Sequence, residues 1–335
     1  MSSVAPAWLW GFFVLSVLAA LFIDFVVLKK QGAHEVTVPE AVRWSIIWVA
    51  LSLAFNALFW WALKNHADPA VAATADTRAF EFLTGYLIEK SLAVDNIFVF
   101  LMIFTFFAVP PAYQKRVLMI GIIGAIVLRT VMILVGSWLI AQFHWVLYLF
   151  GAFLLLTGIK MWWAAGKEPE LESNPALKLL RKIMPVSKNF DGEKFWTIEN
   201  GKRIATPLLM VVALVGVTDV IFAVDSIPAI FAITNDPFIV LTSNIFAILG
   251  LRAMYFLLAN MHERFHLLSY GLAIILIFIG LKMLLIDVYK IPVVYSLGFT
   301  AVTLAVTMIL SLKIPPKGTP GGAYPFGSKK HDERT

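Results

Sequence analysis

The sequence predicts an all-α membrane protein of about nine transmembrane helices, built around two inverted three-helix repeats. Three observations predict it. The 335 residues are 60% hydrophobic, with a mean hydropathy of +0.84, where a soluble domain sits near about 45–50% apolar. Charged residues make up 14%, against about 25% in a soluble domain. Apolar runs long enough to cross a bilayer core, about 20 residues in helical form, recur along the whole chain.

The spans are read at 8–28, 43–63, 82–107, 116–140, 145–164, 207–233, 238–260, 267–287 and 291–312. The first is not a cleavable signal peptide: it has no basic leader, and Lys29 and Lys30 follow the apolar run. The gaps near 141–145, 234–237 and 288–290 are so short that they are tight turns between helices, or one of these pairs is a re-entrant element. The chain is one polytopic membrane domain with a cytoplasmic loop at 165–206 and a disordered tail at 313–335, rich in Pro, Gly and Lys.

Orientation follows from Lys and Arg. Nine spans put 19 of the 27 basic residues on one side, at 29–43, 108–116, 165–206, 261–266 and the tail, and three on the other. Basic residues accumulate on the cytoplasmic side. The N-terminus is therefore expected outside (periplasmic) and the C-terminus inside (cytoplasmic). The net charge of +6 lies mostly in these loops and points to topology, not to nucleic acid. There is no cysteine, which removes disulfides, thiolate metal sites and thiol redox switching. The six histidines fall in or near loops, without metal-ligand spacing inside a span. No nucleophile–base pair or phosphate loop stands out, so an enzyme is not expected and no cofactor is implied.

Apart from the residues at the very ends of the spans, ten charged residues lie inside them: Asp24, Glu89, Asp95, Asp219, Asp225, Lys90, Arg129, Lys160, Arg252 and Lys282. Each costs on the order of 2.5–3.5 kcal/mol at a helix centre on insertion scales, so each must pair, line water or bind something. Several recur in order. Ala93-Val94-Asp95-Asn96-Ile97 matches Ala223-Val224-Asp225-Ser226-Ile227, with Glu89 and Asp219 six residues earlier. Leu128-Arg129 then matches Leu251-Arg252, and Gly158-Ile159-Lys160-Met161 matches Gly280-Leu281-Lys282-Met283. The repeats cover about 82–164 and 207–287. Each has an odd number of helices, so the second enters the membrane from the opposite side, as in many secondary transporters with sites at the repeat interface. The bland alternative is a duplication whose polar residues now only hold helices together.

At about 100° per residue, Glu89 and Asn96 share one face of the third span, with Asp95 about 120° away. In the sixth span Asp219 and Ser226 share a face, and Thr218 and Asp225 share another. Pro228 follows closely, and a proline inside a span disturbs the preceding turn, which would free carbonyls near Asp225. Carboxylate, amide, hydroxyl and carbonyl oxygens are hard ligands suited to Mg²⁺, Ca²⁺ and Mn²⁺. Arg129 and Arg252 are expected to neutralise one acid in each repeat, leaving acids over for a cation. Lys160 and Lys282 lie near span ends and can snorkel. Lys90 either snorkels too or pairs within its own helix. Asp24 reads equally as a cytoplasmic-side gate, a ligand or an interfacial acid. Asn56, Ser243 and Asn244 are expected to bond between helices. Trp60, Trp61, Trp162 and Trp163 mark span ends.

In the loop, Pro175–Met184 predicts a short amphipathic helix on the anionic leaflet. Asn200-Gly201 between Phe195–Ile198 and Arg203–Thr206 predicts a two-residue hairpin. A plain basic linker is the competing reading.

Tyr86-Leu87-Ile88-Glu89-Lys90-Ser91-Leu92-Ala93-Val94-Asp95-Asn96 and Asp219-Val220-Ile221-Phe222-Ala223-Val224-Asp225-Ser226-Ile227-Pro228-Ala229-Ile230 resemble the TerC family of bacterial membrane proteins, and within it the Alx-type members. The stretches at 121–140, 148–161 and 236–258 look similar too. The resemblance implies a bacterial inner-membrane protein of metal homeostasis, with Mn²⁺ export as the activity and tellurite resistance as the phenotype behind the name. It implies Glu89, Asp95, Asp219 and Asp225 as metal-site acids, with Asn96 as a helper. One departure stands out. The family usually has glutamate three residues before the first aspartate of the second motif, where this chain has Gly216.

The reading is therefore a transporter moving a divalent cation outward, Mn²⁺ first, possessed of an intramembrane carboxylate site that could exchange protons. The alternatives are a non-transporting membrane scaffold for metal loading or membrane-protein assembly, and an oxyanion (tellurite) carrier using Arg129 and Arg252. The partners expected are the cation and the lipid bilayer.

Overall fold

The computed structural model describes residues 3–31, 37–164, 175–183, 185–199, 201–259 and 267–314. The tail beyond Ile314 and the histidines at 34, 262, 266 and 331 lie outside these. The elements in order are α1 (Ala7–Gln31), α2 (Val38–Lys64), α3 (Pro69–Ala73), α4 (Ala75–Phe106), α5 (Pro111–Gln142), α6 (Val146–Ala164), α7 (Pro175–Ile183), β1 (Trp196–Glu199), β2 (Lys202–Ala205), α8 (Pro207–Phe231), α9 (Pro237–Leu249), α10 (Leu251–Ala259), α11 (Leu268–Leu284) and α12 (Val293–Lys313). Proline opens the first turn of α2, α3, α5, α8 and α9. A first-turn amide has no partner within its helix, so proline loses nothing there.

The protein is an all-α membrane protein. Among the described residues, six helices are long and apolar enough to cross a bilayer (α1, α2, α5, α6, α8 and α12), or seven if α9 and α10 form one span bent by 43°. The nine expected spans each fall on a helix, but three depart from a simple crossing. α4 carries Asp76, Arg78, Glu81, Glu89, Lys90 and Asp95 along its 32 residues, too many charges for an ordinary apolar span. α11 has 17 residues, about 26 Å of helix against a core of about 30 Å. The span expected at 238–260 is interrupted at Gly250. α8, by contrast, stays helical through Pro228 to Phe231, so the disturbance expected near Asp225 does not interrupt the helix.

The centre of the molecule is α9, all of whose residues are buried. It is mostly apolar, as a helix enclosed by others must be, and its polar residues Thr242, Ser243 and Asn244 are buried with the rest. Asp236 caps it, accepting from the amides of Phe238 at 2.9 Å and Ile239 at 3.4 Å. The same carboxylate accepts from the Val4 amide at 2.8 Å and so ties down the start of the chain. Phe13, Phe55 and Phe82 pack against Phe238 and Phe246 of this helix, with the Phe55 and Phe246 rings 4.6 Å apart. α4 and α5 flank α9, and α8 packs on α4 and α5. α1 and α12 sit at the periphery and present Leu15, Phe22, Val302 and Leu312 outward, the apolar exterior a lipid-facing helix needs.

α6 and α11 form the closest pair. A methyl on Gly158 would sit 2.8 Å from Ile277, and one on Gly280 would meet the Leu155 amide nitrogen at 2.6 Å. The two backbones therefore touch, which only small residues permit.

The amphipathic helix and hairpin of the loop are both present. α7 buries Leu177 and exposes Leu179 and Ile183. β1 and β2 pair antiparallel from Trp196↔Ala205 to Glu199↔Lys202. Gly201 has φ +72, the left-handed geometry that a two-residue hairpin loop requires; Asn200 lies outside the described residues. Within this loop Lys194 bonds the exposed Asp191 and holds its carboxyl below the ordinary range.

Candidate functional site

Four helices bring polar side chains to one point. α5 supplies Arg129, α4 supplies Glu89, α8 supplies Asp219 and Ser226, and α9 supplies Asn244. Arg129 is 1% exposed and Glu89 0%, so this charge is wholly removed from solvent. The guanidinium grips Asp219 with two atoms: Nη2 donates to Oδ1 at 3.0 Å and Nε to Oδ2 at 3.3 Å. Its Nη1 donates to Glu89 Oε1 in a short ion pair, and reaches Ser226 Oγ at 3.3 Å and Asn244 Oδ1 at 3.5 Å. Asn244 Nδ2 donates to the other Glu89 oxygen at 3.0 Å. A planar guanidinium with five donors suits such a many-sided role.

The shared face of Asp219 and Ser226 is visible here, since both touch Arg129. The partition of charge differs from expectation. Arg129 takes an acid from each repeat, while Arg252 on α10 pairs with Asp24 of α1, which belongs to neither. Asp24 thus lies in a separate ion pair and not in the Arg129 cluster. The sequence contains no signal for this choice, because it depends on how α1 is placed beside α10.

The remaining candidates are dispersed. Asp225 faces α6, where Thr157 Oγ1 donates to its Oδ1 at 3.4 Å; that threonine, alone in an apolar run, escaped notice in the sequence. Asn96 is buried on α4. Asp95 lies on α4, but its side chain is outside the described residues. Lys90 neither snorkels nor pairs within its helix: its Nζ donates to the Ala247 carbonyl of α9 at 3.2 Å. Lys282, read as snorkelling, is buried and donates to Ser296 Oγ at 2.9 Å. Among the described residues, no group of three or more His, Asp or Glu side chains is placed to hold a metal ion. At Gly216, one turn before Asp219 on α8, an added Cβ would meet nothing within 4 Å.

By formal count two carboxyl groups face one guanidinium. The cluster is a set of hard oxygen atoms, deep in a bundle of apolar helices, with a resident cation at its centre. That defines a class: a multi-pass α-helical membrane protein with a buried ionic site. Residues 74–318 match the Integral membrane protein TerC family, and the chain belongs to that family. It is 56% identical over 311 residues to a protein of Escherichia coli strain K12 named "Putative membrane-bound redox modulator Alx", covering 93% of this chain and 96% of that one. A protein of the same name from Salmonella typhi is 54% identical over 311 residues, covering the same shares. An uncharacterised membrane protein of Myxococcus xanthus is 47% identical over 310 residues, or 92% of this chain and 93% of that one. No solved structure matches. The family match leaves out α1 to α3, and with them Asp24.

Proposed function

We propose that this chain is an inner-membrane transporter of a divalent cation, Mn²⁺ first, moving it outward through the Arg129 cluster. The observation that carries the reading is the excess of carboxylate over base at a fully buried point. Glu89 and Asp219 outnumber Arg129 by one formal charge, which a cation can complete. Burial of unneutralised charge in a membrane is costly and marks ion pathways.

In this reading Arg129 is a stand-in. It holds the two carboxylates when no cargo is present, and cargo takes its place by attracting Glu89 and Asp219 away from it. Asn244 and Ser226 then serve as neutral oxygen ligands, with Asp95 and Asp225 as further acids along the route. The nine crossings, the inverted repeat and the outside N-terminus belong to the same proposal. Two facts support the repeat. The cluster joins its corresponding acids, Glu89 and Asp219. Its corresponding glycines, Gly158 and Gly280, bring α6 and α11 together.

The scaffold reading has one observation in its favour: a guanidinium gripped by two carboxylates is also what a purely structural ion pair looks like. The oxyanion reading is opposed by the same fact, because Arg129 is already claimed by acids. The relatives' redox name does not translate into thiol chemistry here, since the chain has no cysteine.

The test is Mn²⁺ content and efflux in cells lacking their own exporter. The chain is expected to lower cell Mn²⁺, and Glu89→Gln, Asp219→Asn and Asp225→Asn to lose that effect at equal membrane levels. Variants that keep full effect would sink the carboxylate site. If the chain itself is silent, Gly216→Glu is expected to restore export, given the open space around that Cα. Continued silence would favour the scaffold.

A further inference from the structure

The break between α9 and α10 holds a second cation-shaped feature, independent of the Arg129 cluster and of its proposed function. A helix leaves its last four carbonyls without partners in their own helix, and together these carry partial negative charge. α9 ends at Leu249 inside the protein, where water cannot supply the missing donors. The Gly250 amide turns back to the Ile248 carbonyl, and the ammonium of Lys90 serves the Ala247 one. It reaches across from α4 and donates to the Ala247 carbonyl at 3.2 Å. It lies so close over the break that a methyl on Gly250 would be 2.6 Å from Nζ. The Tyr86 ring adds a face 5.9 Å from the charge. Among the described residues no carboxylate forms an ion pair with Lys90. Its charge is balanced by backbone oxygen and a helix end, which is also how alkali-metal ions are held in broken membrane helices.

We propose that the end of α9 at Gly250 is a monovalent-cation site, filled in this conformation by the tethered ammonium of Lys90. The chemistry that recognises the ligand is carbonyl oxygen without a full countercharge, so the class is an alkali-metal ion and not a divalent one. Gly250 is glycine because the ammonium occupies the space where a side chain would begin. The bend of 43° between α9 and α10 falls at this residue.

The test is thermal unfolding of the purified full chain in detergent. KCl, NaCl and N-methylglucamine chloride are compared at equal ionic strength, the last being too large to enter. Wild type should melt alike in all three, because the site is already occupied. Lys90→Met empties the site while keeping an aliphatic side chain. It should melt roughly 3 °C or more higher in an alkali salt than in N-methylglucamine. Lys90→Arg should melt like wild type, having restored a tethered cation. Lys90→Leu, a second neutral side chain, should show the same alkali dependence where Lys90→Met fails to fold, whereas Gly250→Ala puts a methyl where the cation would sit and should show none. The proposal is overturned if Lys90→Met, or Lys90→Leu where the first does not fold, is as indifferent to the cation as wild type. It is equally overturned if wild type shows the same dependence as the variants.

Discussion

Arg129 has more consequence for this protein than any other side chain described. Removing it as Arg129→Met leaves Glu89 and Asp219 charged and unpaired in the bundle, a change expected to cost about 3–5 kcal/mol. Unfolding in detergent should show this as a large loss. Neutralising the acids as well, in Arg129→Met/Glu89→Gln/Asp219→Asn, should recover much of it, because a buried ion pair is replaced by groups that need no countercharge. A triple variant as unstable as the single one would mean that the guanidinium matters through packing alone. Much of this site was legible at residue scale. The spacing of Glu89, Asn96, Asp219 and Ser226 gave their faces, and the cost of burying charge singled out Arg129. The choice of partner was not legible. That Arg129 would take both repeat acids, and Arg252 neither, depends on four helices meeting, and no spacing along one helix carries that information. Asn244 was read as a residue that joins helices, which it is, but its particular partner, Glu89, is again a tertiary fact.

Among the elements, α6 and α11 have the least freedom. Gly280→Val would drive methyl groups into the Leu155 backbone, which cannot turn aside as a side chain can. The expected loss is about 1–3 kcal/mol, seen as a lower melting temperature, while Gly298→Ala, whose Cβ meets nothing within 4 Å, should be nearly silent. A second element-scale expectation concerns the tie between α2 and α4. Asp76 accepts from Trp60 Nε1 at 2.6 Å and from Lys64 Nζ at 3.0 Å. The Trp60 bond first, and then Lys64, hold its carboxyl below its ordinary value of 3.8. A carboxyl lowered in the folded state stabilises above its unfolded value and loses that effect as pH falls through the folded one. The tie should therefore be intact at neutral pH and loosen below about pH 4. Trp60 fluorescence should report it, and Asp76→Asn should abolish the acid transition. Most elements were readable beforehand, because a membrane helix declares itself by the length of its apolar run and a hairpin by Asn-Gly. The break at Gly250 was not. It falls inside a continuous apolar stretch, where composition does not change and only the ammonium of another helix shows that the chain must bend.

At the scale of the whole molecule, an odd number of crossings and an asymmetry of basic loops make one joint expectation. Reporter domains fused to the two ends should be found on opposite faces of the membrane, the N-terminal one outside. Both on one face would make the count of crossings even. The same vectorial view gives the Asp24–Arg252 pair a meaning in time. The two residues are separated by 228 positions. At about 5–20 residues per second, a ribosome that has delivered α1 needs roughly 10–50 s more to deliver its counter-ion. Through that interval the first helix waits in the bilayer with an acid whose partner in the folded structure has not yet been made. α10 is thus the element whose arrival ends the vulnerable phase of biogenesis. Chains halted before residue 252 should be cleared by membrane proteases much faster than chains halted just after α10, and Asp24→Asn should erase the difference.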